Sequence, residues 1–300
     1  MTSVIVSKNL SLKKTPVSAA IQGELGAYSQ QAVYSFFGRD VARQIMPLPT
    51  LQRVFAAVGG KMGVTPDFAV VPIENSLAGS IGETIDLLIS RNVRVVGETS
   101  EPISHCLVIH KDTTIDRITK VMSHPQALAQ CREYLDRNGR HWEQVSVYDT
   151  AGSVKMIKEQ NLMDVAGIAS ELACEIYGMK LAAREIEDDP SNRTRFVVVE
   201  NAENTESNLP TEPTGDDKTS AIFATKHEPG CLVRALSSLS SRAINVDRIE
   251  SRPIKGKPWE YYFWIDFSGH VKDEKCRKAI EDLKYQTEEV KILGSYPRGV

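Results

Sequence analysis

At 300 residues, 41% hydrophobic and 25% charged, the chain is long enough to bury a sizeable core and to hold two or more domains. Its formal net charge of −3, with no basic stripe, argues against nucleic acid or an anionic membrane as partner, and its apolar runs are too short to cross a bilayer. Five scattered cysteines (Cys106, Cys131, Cys174, Cys231 and Cys276) without CxxC spacing argue against a disulfide framework and a zinc site, so a reducing, cytoplasmic compartment is expected.

Residues 1–19 carry Lys8, Lys13 and Lys14 and no acid, and lack the apolar core of a secretory signal; they are expected to form a disordered arm. Gly23, Gly26, Ala27, Tyr28 and Ser29 then lead into an amphipathic helix with Val33 and Phe36 or Phe37 inward. Taken alone, that segment is a tight turn capped by Ser29; an anion cradle at a helix entrance is the functional alternative. Phe68–Ile73 is an apolar strand. Pro72, Ile73, Glu74, Asn75 and Ser76 mark its end, and the helix after it is lined by Ile81, Ile85 and Leu88. Val93–Val96 and Cys106–Ile109 are strands. Ser123, His124, Pro125 and Gln126 repeat the strand-end, helix-start pattern. The helix that follows has Leu128, Cys131 and Leu135 on one face and stops at Asn138-Gly139. Asp149-Thr150-Ala151-Gly152 opens another helix, with Asp149 as expected N-cap. Val165–Ala169 is a strand, Ser170 an N-cap and Gly178 a helix stop. This alternation predicts an α/β fold with helices over mainly buried sheets. Polar groups at strand ends of such a sheet are placed for a ligand in the crevice.

Asp188–Phe196 is the most informative stretch. Acids, a proline and Asn192 lead into Thr194, Arg195 and Phe196, and a buried strand, Val197–Val199, follows. A hydroxyl donor, a guanidinium that grips a carboxylate with a fixed fork, and an aromatic wall suit chemistry on a small polycarboxylate. The bland alternative is a polar loop before a strand. Residues 201–217 hold five acids, two prolines and no basic side chain, and are expected to be an acidic linker. Beyond it, Thr219–Thr225, a helix with Leu232, Leu236 and Leu239, Ile244–Ile254, Trp259–Phe267, a helix with Cys276, Ile280 and Leu283, and Val290–Leu293 spell βαββαβ, a ferredoxin-like sandwich. Trp259, Tyr261, Phe263, Ile265 and Phe267 are expected on one side of their strand. Helices on one sheet face leave the other face or an edge free, and a second copy is one way to cover it.

In this order, Gly26-Ala27-Tyr28-Ser29, Pro72–Ser76, Ser123–Leu128, Asp149–Gly152 and Asn192–Phe196 resemble the prephenate dehydratases and the similar arogenate dehydratases. Gly230-Cys231-Leu232-Val233, Glu250-Ser251-Arg252-Pro253 and Leu293–Pro297 resemble the regulatory ACT domain and the usual ending of that family. The resemblance spans roughly residues 20–297. It implies a two-lobed, periplasmic-binding-protein-like catalytic domain over 20–200 and an ACT domain over 218–300. The implied reaction converts prephenate to phenylpyruvate by loss of carbon dioxide and water, on the route to phenylalanine, with no cofactor or metal. Thr194 would be the proton donor or its closest partner, Arg195 would position a carboxylate or structure the loop, and Phe196 would shape the pocket. Asn75, Ser76, Gln126 and Ser29 would fix the substrate, supported by Glu74 and Asn192. Feedback inhibition by L-phenylalanine is implied, with Gly230, Cys231, Leu232, Val233, Asn245, Glu250, Ser251 and Arg252 as candidate contacts or interface formers. Position 231 is Cys where the family commonly has Ala. A homodimer or homotetramer is expected. Two alternatives remain: arogenate as the substrate, and a non-catalytic amino-acid-sensing protein.

Overall fold

The computed structural model describes residues 16–205, 209 and 212–299. Its first sheet runs β2 (Ala42–Leu48), β1 (Val17–Gln22), β3 (Phe68–Asn75), β11 (Arg193–Asn201), β5 (Val93–Pro102), with β4 (Gly79–Ser80) beside β3. β1 pairs parallel with β2 and β3, whereas β11 runs antiparallel between β3 and β5. The second sheet runs β10 (Lys180–Ala183), β6 (Cys106–Ile109), β9 (Val165–Ala169), β7 (Lys120–Ser123), β8 (Glu143–Ser146). The continuous apolar run of β9 is buried on both faces, as a central strand under helices must be. The chain passes between these sheets twice, from β5 to β6 and from β10 to β11. Ile103 N–H donates to the Asn192 carbonyl and ties the two crossings together.

Helices α1 (Tyr28–Phe37), α2 (Leu51–Val58) and α3 (Gly82–Ser90) cover the first sheet. Helices α4 (Pro125–Gln130), α5 (Arg132–Asn138), α6 (Thr150–Glu159) and α7 (Glu171–Tyr177) belong to the second. Ser170 caps α7 by accepting from Ala173 N–H, and Gly178 ends it in the left-handed region, as the sequence predicts. Three local expectations change. The single helix foreseen after Pro125 breaks at Cys131, because the Asp188 carboxylate accepts from Arg132 and Glu133 N–H and starts α5 afresh. Ala27, not Ser29, is the N-cap of α1. Asp149 sits at the N-cap of α6, but its carboxylate accepts from Glu24 N–H instead of capping its own helix.

The third sheet runs β13 (Val246–Pro253), β14 (Tyr261–Ser268), β12 (Asp217–Ala224), β15 (Glu289–Pro297), with α8 (Cys231–Ser240) and α9 (Glu274–Gln286) packed on one face. This is the expected βαββαβ order. Phe263, Ile265 and Phe267 do point together toward these helices, but Trp259 lies outside β14 and is 76% exposed. The opposite face is not free. Ile222, Trp264, Leu293 and Tyr296 join Val197, Val199, Ile85 and Leu88 in one apolar core, so the first sheet with α2 and α3 covers it. Lys291 Nζ reinforces the docking by donating to the Leu88, Ile89 and Arg91 carbonyls at the end of α3. The boundaries also tighten. Val17–Ala19 lie in β1, within the segment expected as an arm, while residues 1–15 of that expectation lie outside the described residues. Asn201 ends β11 and Asp217 begins β12; Leu209 is buried beneath α1, and 206–208 and 210–211 lie outside the described residues.

Candidate active site

A cleft of about 540 Å³ opens where the first two sheets face each other. One wall is the strand ends and helix start of the first sheet: Gln22, Tyr28, Ser29, Pro72, Asn75, Thr194 and Phe196. The other is His124, Gln126, Gln130, Tyr148, Asp149 and Thr150. Strand alternation selects which side chains reach it. Along β11, Phe196 and Val198 pack toward α1, and Val197 and Val199 pack toward α2, α3 and the third sheet. Thr194 shares the first face and enters the cleft; Arg195 shares the second.

Thr194 is buried, 8% exposed, and its Oγ1 accepts from Asn75 Nδ2 at 3.0 Å. The orientation of the Asn75 amide is fixed, since its Oδ1 accepts from Leu77 and Ala78 N–H, at 3.2 and 2.9 Å. Its Nδ2 also reaches Asn192 Oδ1 at 2.7 Å. No acceptor among the described residues takes the Thr194 hydroxyl hydrogen, which leaves it for a ligand. A hydroxyl that accepts a hydrogen bond becomes a better donor.

Arg195 does not line the cleft, which corrects the reading of a carboxylate grip beside Thr194. Neighbours on a strand point to opposite faces. Its Nε donates to Glu98 Oε2 at 2.8 Å, and its Nη2 stands 2.8 Å from Asp266 Oδ2 of β14, an ion pair without hydrogen-bond alignment. Burial opposes the charge, but Asp266 and Glu98 outweigh it and hold the guanidinium protonated. Glu74 faces the same way, toward Arg195 and Arg248 at 3.9 and 3.5 Å, and is also absent from the cleft lining. Ser76 accepts from Arg193 N–H through its hydroxyl, so it holds β11 in place and does not face the cleft. Asn192 is buried behind Asn75, with its Nδ2 unpartnered. Ser29, Asn75, Gln126, Thr194 and Phe196 therefore meet at the cleft as expected, and Glu74, Ser76, Asn192 and Arg195 support it from behind or face elsewhere.

Sequence reasoning passed over Tyr28, His105 and Gln130. His105 is 2% exposed; its Nδ1 lies 2.9 Å from Tyr28 Oη and its Nε2 3.1 Å from Gln130 Oε1, so it bridges α1 and α4 across the cleft. Burial lowers its pKa, keeping it neutral. Gln130 lies one turn after Gln126, a spacing that could have revealed it. Among the described residues, the lining contains no Lys or Arg. Positive potential comes from the N-terminal end of α1, whose first residue, Tyr28, lines the cleft; the start of α6 carries the Asp149 carboxylate instead.

The effector candidates fall into two groups. Gly230 precedes α8 with φ +82°, Cys231 is buried, Leu232 is half-buried against the core, and Val233 is exposed. Asn245 donates to Asp247, Ser251 is exposed, Glu250 accepts from Ser80 and Arg248, and Arg252 pairs with Asp86 of α3 at 2.9 and 3.1 Å. Glu250 and Arg252 thus contact β4 and α3 of the first sheet's elements.

A family model described as prephenate dehydratase matches residues 19–204. The chain is 36% identical over 296 residues to a bifunctional chorismate mutase/prephenate dehydratase of Stutzerimonas stutzeri, covering 99% of this chain and 77% of that protein. It is 37% identical over 292 residues to arogenate dehydratase/prephenate dehydratase 2, chloroplastic, of Arabidopsis thaliana, covering 94% of this chain and 73% of that protein. The prephenate dehydratase of Arthrobacter aurescens, solved in complex with L-Phe, superposes with a TM-score of 0.83 at 29% identity, covering 94% of this chain and 90% of that one. A solved structure described as GqqA, a novel type of quorum quenching acylase, superposes with a TM-score of 0.82 at 30% identity, covering 93% and 97%. With the family model spanning more than half of the residues and these relatives matched along nearly all of them, the chain belongs to the prephenate dehydratase family.

Proposed function

We propose that the protein converts prephenate to phenylpyruvate, with Thr194 as the proton donor or its closest partner. The observation that carries this reading is the Thr194 hydroxyl, held by the fixed Asn75 amide with its own hydrogen left for the cleft. In the reaction the ring C–OH bond breaks as the hydroxyl takes a proton and leaves as water. The bond from the ring to its carboxylate breaks, carbon dioxide departs, and the released electron pair completes the aromatic ring. Aromatisation supplies the driving force, so the protein must orient the ring and protonate one oxygen. Ser29, Gln126 and Gln130 supply neutral donors for the substrate's carboxylates, and the start of α1 supplies the field. Acyl transfer with Thr194 as nucleophile would need a base hydrogen-bonded to its hydroxyl, and among the described residues none is.

The βαββαβ unit is read as an ACT domain over 218–300, the two lobes over 20–200 as a periplasmic-binding-protein-like catalytic domain, and L-phenylalanine as the effector. The L-Phe complex of the Arthrobacter relative supports the last point. A homodimer or homotetramer in a cytoplasmic setting completes the reading. Arogenate is the alternative substrate. Phenylpyruvate absorbance from prephenate, with consumption of arogenate followed in parallel and phenylalanine added to each, tests the substrate and the effector. Fast, phenylalanine-suppressed release from prephenate is expected; turnover of arogenate alone would move the substrate, and silence on both from folded protein would refute the enzyme.

A further inference from the structure

Four charged groups meet where β11 and β5 face the third sheet: Glu98, Lys218 and Asp266, all buried, and Arg195, partly so. Glu98 Oε2 accepts from Arg195 at 2.8 Å, and its Oε1 accepts from Lys218 Nζ at 2.6 Å. Asp266 has no exposed side-chain surface. Its Oδ1 accepts from Ser220 Oγ at 2.6 Å and Trp264 Nε1 at 2.9 Å, and its Oδ2 meets Arg195. The carboxylate is thus locked to its own sheet through one oxygen and to β11 through the other. Arg195 is peptide-bonded to Thr194, so the anchored guanidinium and the Thr194 hydroxyl hang from one strand segment on opposite faces. A placement change of about 1 Å costs on the order of 100-fold in rate.

We propose that Arg195 is a positioning residue: through Asp266 it anchors the catalytic strand to the C-terminal sheet, sets Thr194 in the cleft, and passes the state of that sheet to the reaction. The catalytic part of this inference rests on the role given to Thr194 above; the anchoring part does not.

The test compares Arg195→Gln, Arg195→Lys, Asp266→Asn and Arg195→Gln/Asp266→Asn in the full-length protein. Asp266→Asn keeps the shape and the Oδ1 bonds and lies outside the cleft, so it also serves should the Arg195 variants fail to fold. Expected for Asp266→Asn and Arg195→Gln is a kcat loss of roughly 10- to 100-fold with KM within about twofold. The double variant should be no worse than Arg195→Gln, because that change already removes the contact with Asp266. Arg195→Lys should recover part of the loss. Phenylalanine should still bind the variants by calorimetry but inhibit them less. A raised KM in Arg195→Gln with normal kinetics in Asp266→Asn would overturn the proposal and return Arg195 to gripping substrate; so would multiplicative losses in the double variant. Hydrogen exchange at amides 194–196 gives a readout independent of turnover. Faster exchange in Asp266→Asn is expected, and unchanged exchange would overturn the anchoring even if wild type turned over neither substrate.

Discussion

Replacing Thr194 with Val removes the hydroxyl while keeping the branched shape. The structural loss is one hydrogen bond, from Asn75 Nδ2, and that amide keeps Asn192 Oδ1 and the Arg193 carbonyl as acceptors. A net hydrogen bond is worth about 1 kcal/mol, so Thr194→Val should stay folded with a stability loss of that order. Turnover is a different matter. A positioned proton donor contributes about 10²- to 10⁴-fold, which at 1.36 kcal/mol per decade is roughly 2.7 to 5.4 kcal/mol of transition-state stabilisation. The two magnitudes separate cleanly: kcat should collapse while the Tm barely moves. Thr194→Ser restores the hydroxyl at the cost of a methyl group and should retain most of the activity. The assay is phenylpyruvate absorbance at saturating prephenate, with thermal melts on the same samples. A Thr194→Val protein within about threefold of wild-type kcat would remove the hydroxyl from the mechanism, since that gap corresponds to only about 0.65 kcal/mol.

Three further outcomes follow from the packing. His105 has a lowered pKa in the folded state, so below its ordinary value of 6.5 the unfolded chain takes up a proton that the folded protein declines; stability should fall as pH drops through that window, and Tm against pH in His105→Gln should be flatter there. A Cβ at position 294 would collide with the Val95 carbonyl oxygen where β15 docks on β5, so Gly294→Ala should destabilise by about 1–3 kcal/mol, visible as a lowered Tm; an unchanged melt would mean that the docking is loose. L-Phenylalanine at millimolar concentration should raise the Tm and reduce activity, and no shift would count against an effector site.

Much of the fold was legible because short, strong signals agreed with the tertiary structure. The apolar run of β3, the Ser170 cap, the Gly178 stop and the βαββαβ order all hold. What failed did so for physical reasons. β2 and α2 went unseen: β2 is half-exposed and lacks clean alternation, and α2 has only eight residues. The sharper miss concerns Thr194 and Arg195. The strand was taken to begin after Phe196, which let three consecutive side chains converge on one ligand. It begins at Arg193, and the two-residue period then sends Thr194 and Arg195 to opposite faces. Glu74 and Asn75, cross-strand from Arg195 and Thr194, divide in the same way. No feature of the local sequence distinguishes a loop from a strand carrying Asn, Arg, Thr and Arg; the pairing with β3 and β5 decides it.

That division also explains where the charges went. The cation that sequence reasoning handed to the substrate's carboxylate, Arg195, is engaged at the seam with the C-terminal sheet, by Glu98 and Asp266. The cleft keeps amides, hydroxyls, the imidazoles of His105 and His124, the Asp149 carboxylate and the start of α1. A guanidinium gripping the ring carboxylate would hold it before the reaction and lose that hold as the group leaves as neutral carbon dioxide. Binding that persists only in the ground state raises the barrier. Helix ends and neutral donors orient an anion with less such penalty. Placing the strong ion pairs one residue away, on the far face of the same strand, lets them fix the position of Thr194 without touching the group that departs.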